Sequence, residues 1–98
     1  MTAFQTLIQS EKPVLIDFYA TWCGPCQMLA PILVEVKAAL DDQVKIIKID
    51  VDKYEDLATE YQVRGVPTMM IFKKGEMLWR QSGVLSKNDL ISLLKSHI

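Results

Sequence analysis

A chain of 98 residues, half of them hydrophobic, is long enough for one domain with its own core and too short for two. Eleven basic residues against twelve acidic ones leave a formal net charge of −1, with no basic stripe for nucleic acid and no like-charge tail. The apolar runs have strand length rather than membrane-spanning length, and Met1-Thr2-Ala3-Phe4-Gln5 lacks the features of a secretory leader, so a cytoplasmic protein with no membrane or nucleic-acid partner is expected.

The predicted elements follow in chain order. Thr2 is placed to cap a first helix with Gln5 as its capping-box partner, and Phe4, Leu7 and Ile8 form the apolar face. Pro13 biases Lys12 away from helical dihedrals and ends that helix. Val14 to Ala20 is apolar nearly throughout and reads as a strand buried on both faces. A second helix starts at or just after Cys23, with Pro25 in its first turn. Met28, Leu29, Ile32, Leu33, Val36 and Leu40 supply its apolar side, Pro31 is expected to kink it, and Asp41-Asp42 closes it. Val44 to Asp50 is a second strand. Asp52 is expected to cap a short helix, with Glu55 three residues on and Leu57, Ala58 and Tyr61 facing inward. Val66-Pro67-Thr68 opens a third strand, Met69 to Phe72. A turn at Lys73-Lys74-Gly75-Glu76 leads to a fourth, Met77 to Gly83. Ser86 starts a last helix with Leu90, Ile91, Leu93 and Leu94 inward. The order α-β-α-β-α-β-β-α implies a parallel pair around the second helix and an antiparallel hairpin at the end.

The two cysteines stand in Trp22-Cys23-Gly24-Pro25-Cys26, at the junction of a buried strand and a helix. Two cysteines are not a disulfide framework, and a Cys23–Cys26 bond closes a loop too short to stabilise much by chain entropy. His97 is the only histidine, so the pair supplies at most half of a structural zinc site, and no metal or cofactor is expected. What remains is thiol–disulfide chemistry, in which a thiolate is the attacking species. Cys23 is the candidate nucleophile because it precedes the helix, where free N–H groups favour negative charge. Cys26, a turn further in, is expected to be the more buried. Asp17 lies in the middle of an apolar strand, where desolvation should raise its pKa.

The chain resembles the thioredoxin family over almost its whole length. The residues that carry the likeness are Val14 to Ala20, Trp22 to Cys26, Met28, Ala30-Pro31, Lys48 to Asp52, Arg64 to Thr68, Phe72, Gly75, Gly83 and the final amphipathic helix. The resemblance implies an α/β thioredoxin fold over residues 1–98, a single domain, with a mixed sheet of about four strands flanked by four helices. The family's usual first strand is missing ahead of Thr2, so the strand Val44 to Asp50 should become a sheet edge, either exposed or paired with a second chain, with Lys45 and Lys48 as its blunting charges. Other departures are Tyr19, where many members carry a second tryptophan, and Gln27, where lysine or arginine is common.

The resemblance also implies roles. Asp17 would take the Cys26 proton as that thiol attacks; the alternative is a satisfied polar group at a strand end. Lys48, in the neighbouring strand, would be its charge partner; the alternative is a solvated lysine. Pro67 resembles the family's cis-proline, against the trans bond that is usual for X–Pro. Trp22, Gly24, Pro25, Gly65, Val66, Pro67, Gly83 and Val84 would form the surface that meets the substrate. The function implied is a protein disulfide reductase recharged by thioredoxin reductase or a similar donor and acting, as a monomer, on disulfide-containing proteins. The alternatives are a disulfide isomerase or oxidase, and a thioredoxin-fold binding subunit without turnover.

Overall fold

The computed structural model describes residues 1–98. Four helices and four strands follow in the expected order: α1 (Ala3–Leu7), β1 (Val14–Tyr19), α2 (Gly24–Leu40), β2 (Lys45–Asp50), α3 (Glu55–Glu60), β3 (Thr68–Lys73), β4 (Glu76–Ser82) and α4 (Lys87–Lys95), with a single 3-10 turn at Asp41–Gln43. The strand order is β2-β1-β3-β4. β1 is parallel to β2 and antiparallel to β3, and β3 is antiparallel to β4. β1 is thus central, which explains its apolar sequence, and β2 is an edge with Lys45 and Lys48 exposed along it. No helix is long and apolar enough to cross a membrane.

The local signals act largely as expected. The Gln5 N–H donates to Thr2 Oγ1 at 3.1 Å and the Thr2 N–H to Gln5 Oε1 at 2.8 Å, closing the capping box. Leu7 departs from expectation: it is exposed, while Phe4 and Ile8 are buried. At about 100° per residue, a stripe centred on Phe4 and Ile8 carries Leu7 off to one side. The same rotation puts Met28 outside the stripe of Leu29, Leu33, Val36 and Leu40, and it too is exposed. Pro31 is accommodated within a helix that runs unbroken from Gly24 to Leu40. The hairpin turns on Lys74 and Gly75, both at positive φ, as a two-residue loop requires. Its tip is held to the loop after α1, where the Gly75 N–H donates to the Ile8 carbonyl at 2.8 Å. The Ser86 hydroxyl accepts from the Asp89 N–H and caps α4.

The short helix α3 corrects one expectation. It begins at Glu55 with Tyr54 in the cap position and no side-chain cap, so Asp52 does not serve it. Glu55 and Asp56 in its first turn complement the helix dipole instead.

Two apolar layers sandwich the sheet. Leu15 and Ile71 pack with Leu29, Leu33, Leu90 and Leu94 under α2 and α4. On the other face, Phe4, Ile16, Phe18 and Phe72 pack under α1 and α3, with Tyr61 against them. There Phe4 and Phe72 meet edge-to-face at 5.8 Å, and Tyr61 meets Phe72 in the same way.

Candidate active site

The cysteines sit where β1 hands the chain to α2. They form a disulfide with a Cα–Cα distance of 5.2 Å. Cys23 is the N-cap of α2, and its Sγ accepts the Cys26 N–H at 3.2 Å. That amide is one of the helix's otherwise unpaired donors, so negative charge formed on Cys23 Sγ after reduction meets both a donor and the positive end of a 17-residue helix. The expected difference in burial is absent: Cys23 is 4% exposed and Cys26 5%. Position at the helix terminus, not exposure, distinguishes them. Gln27 donates through Nε2 to the Thr21 carbonyl at 3.2 Å, so the side chain that replaces the family's cation clasps the loop carrying Trp22.

Asp17 lies two residues before Tyr19 on the α2 side of β1. It is 1% exposed, and neither carboxylate oxygen meets a donor from the protein. Burial raises its pKa to about 6, and the Lys48 charge lowers it only in part. Lys48, expected as its charge partner, acts on it through space and bonds neither of its oxygens. Its Nζ stands over the Tyr19 ring, 4.5 Å from the centroid, although Asp17 and Lys48 are register partners across β1 and β2.

Across from the cysteines, the Val66–Pro67 bond is cis, as the resemblance implies. The Val66 carbonyl oxygen is 3.6 Å from Cys23 Sγ, and its side chain packs on the cluster of Ala20, Cys23 and Cys26. The Gly83 N–H donates to the Pro67 carbonyl at 2.9 Å, so β4 ends against this turn. Gly24 and Gly65 are open, with nothing within 4 Å of where a Cβ would stand. Pro25 and Val84 are exposed, and Trp22 is 71% exposed, held by its indole N–H donating to Asp52 Oδ2 at 2.9 Å. The surface is therefore flat, apolar and backbone-rich, suited to an extended segment rather than a small molecule. A groove of about 500 Å³ lies elsewhere, between α1, β2 and α3.

Three contacts escaped sequence reasoning: Asp52 to Trp22, Lys48 to Tyr19, and the clasp of Thr68, whose hydroxyl bonds the Gly65 carbonyl at 2.6 Å and the Ser82 hydroxyl at 2.9 Å. The first two join side chains about 30 residues apart, to which no spacing rule points, whereas the Thr68 clasp combines a turn contact three residues back with its register partner in the β3–β4 hairpin.

Comparison with known proteins agrees with this geometry. The thioredoxin family profile matches residues 1–96. The chain is 50% identical over 91 residues to a thioredoxin-like protein of Synechocystis, covering 93% of this chain and 87% of that protein. It is 49% identical over 96 residues to the chloroplastic thioredoxin Y of rice, covering 97% of this chain and 57% of that longer protein. Among solved structures, oxidised mitochondrial thioredoxin 3 of Saccharomyces cerevisiae superposes with a TM-score of 0.84 at 38% identity, over 95% of this chain and 86% of that one. The redox pair, its helix terminus and these likenesses together show that the chain belongs to the thioredoxin family of thiol–disulfide oxidoreductases.

Proposed function

We propose that the chain is a general protein disulfide reductase in which Cys23 attacks, Cys26 resolves and Asp17 takes the proton. The observation that carries this reading is the Cys23–Cys26 disulfide at the N-terminus of α2, with the Cys26 amide on Cys23 Sγ. In the reduced protein, the Cys23 thiolate attacks one sulfur of a substrate disulfide. The substrate S–S bond breaks, a mixed disulfide forms, and the released substrate thiolate takes a proton. The Cys26 thiol then loses its proton to the Asp17 carboxylate and attacks Cys23 Sγ. The second substrate sulfur leaves as a thiolate and takes up the proton held by Asp17, so that two electrons have passed to the substrate. A reductase or similar donor returns two electrons and one proton, restoring the Cys23 thiolate and the Cys26 thiol.

The substrate is read as an extended segment laid along the Val66 backbone, with Trp22, Gly24, Pro25, Gly65, Pro67, Gly83 and Val84 around it. Exposed Lys45 and Lys48 on the β2 edge disfavour strand addition, which supports a monomer. The proposed compartment is the cytoplasm, on the ground that the two cysteines form a redox pair rather than a stabilising framework.

Reduction of insulin by dithiothreitol tests the reading. Cys23→Ser and Cys26→Ser should both reduce the rate to that of dithiothreitol alone, and only Cys26→Ser should trap a stable adduct with substrate. Retained turnover in Cys23→Ser, or trapping by Cys23→Ser alone, would sink it.

A further inference from the structure

The ends of β1 and β2 bring a carboxylate, an ammonium and an aromatic ring onto one face of the sheet. The parallel register sets Asp17 beside Lys48 and Tyr19 beside Asp50, and strand alternation puts all four on the side of α2. A buried carboxylate with a lysine as its cross-strand neighbour should draw the ammonium into contact, because the attraction grows as water is excluded. The structure shows another outcome. Both Asp17 oxygens remain without a protein partner, and the Lys48 ammonium is 4.5 Å from the Tyr19 ring centroid, within the range at which a π face attracts a cation. The long lysine stem lets the charged head rest there at the rim, in reach of water.

We propose that Tyr19 is a positioning residue for proton transfer: its ring holds the Lys48 ammonium near enough to act on Asp17 through space and too far to bond it, leaving the carboxylate free for the Cys26 proton. The last clause rests on the proton-acceptor reading above; the clamp itself does not. Burial keeps the Asp17 pKa near 6 with Lys48 opposing only in part, whereas a contact pair would pull it lower and make a weaker base. The other groups facing this region are few. Asp50 on β2 accepts the Asp52 N–H at 2.9 Å. β3 sets Met69 opposite Asp17. Cys26 of α2 and its N-cap Cys23, which pack against Tyr19, do not titrate while they are disulfide-bonded.

The test uses the oxidised protein, so neither cysteine titrates and no turnover is needed. Carbon-13 NMR follows the Asp17 carboxyl against pH. Tyr19→Phe keeps the ring and should titrate as the wild type does. Tyr19→Leu should lower the midpoint by roughly half a pH unit to one unit, the size expected for a released cation–π contact. Lys48→Met should raise the midpoint, and Tyr19→Leu added to it should change nothing further. An unmoved midpoint in Tyr19→Leu overturns the proposal, as does an equal fall in the Lys48→Met background, which would make the ring a simple shield from water. A second measurement needs no substitution. In the wild type, the Lys48 ε-methylene protons should stay shifted upfield by the Tyr19 ring throughout the Asp17 titration; movement downfield as Asp17 ionises would mean that the lysine leaves for the carboxylate. Should the titrations behave as expected while the pH profile of Cys26 attack does not follow them, the clamp stands and the proton-acceptor reading of Asp17 falls.

Discussion

Asp17 and Thr68 lie one register step apart in neighbouring strands, each 1% exposed and together the only polar residues buried in the chain. Thr68 faces the layer under α1 and α3, and its hydroxyl is satisfied twice, by the Gly65 carbonyl and the Ser82 hydroxyl. Asp17 faces α2 and is satisfied by nothing in the protein. A hydroxyl buried with partners is roughly neutral to favourable, whereas a carboxylate buried without them disfavours its own ionisation. One polar group ties the Gly65 turn to the end of β4. The other is held unpaired in a state that a proton relieves, which suits the proton-acceptor role proposed for it. The contrast is electrostatic: the unpartnered carboxylate lies on the α2 side, and the satisfied hydroxyl lies on the other.

Removing the orphan should have the largest effect. Asp17→Asn should slow attack by Cys26 by about 10²-fold or more, the range of a positioned general base. The measurement is single-turnover decay of a preformed mixed disulfide, and an unchanged rate across pH 6–9 would remove the proton-transfer role. Stability should move the other way. Asp17 binds its proton more tightly folded, at about 6, than unfolded, at 3.8. Below pH 3.8 both states are protonated and there is no penalty. Between 3.8 and 6 the folded state holds more protons, so stability falls as pH rises, and the full penalty of about 3 kcal/mol is present above 6. Asp17→Asn should abolish that fall. Urea unfolding of the oxidised proteins at pH 4 and 7.5 reads it directly.

Removing the satisfied group should reverse the sign. Thr68→Val keeps the shape and loses both hydrogen bonds, so it should destabilise by about 1 kcal/mol at every pH, since no titrating group is involved. A stabilised Thr68→Val protein would break the comparison.

Much of the architecture was legible because its signals are local. The capping box at Thr2, the uninterrupted apolar run of β1, the Lys74-Gly75 turn and the serine cap of α4 each act within a few residues, and each appears where its spacing puts it. Asp17 was legible for a related reason, as a charge out of place in a buried strand. Errors came where competing partners lie far away. Asp52 has the spacing of a helix cap, but the Trp22 indole, 30 residues back, engages its carboxylate. Lys48 was expected as the charge partner of Asp17, and the sequence did not show that the Tyr19 ring, two residues on from Asp17, holds the ammonium. The cysteines were expected to differ in burial because one is deeper in the helix. The Val66 turn covers the outer one, and that turn comes from a part of the chain 43 residues away.

The exposed counterpart of these buried contacts is the Trp22–Asp52 hydrogen bond, and it should matter least for stability. Trp22 is mostly in water, so losing its partner should change unfolding by no more than about 0.5 kcal/mol. Its effect should instead fall on docking, because a free indole samples rotamers that a bonded one does not, and the flat surface loses its fixed edge. Asp52→Ala should raise KM for a protein disulfide by about two- to fivefold with kcat unchanged, whereas Asp52→Asn, which keeps an acceptor oxygen, should restore most of the difference. A fall in kcat instead would move Asp52 from the docking surface into the chemistry. It would also break the contrast between an unpartnered buried carboxylate and satisfied groups that hold the scaffold.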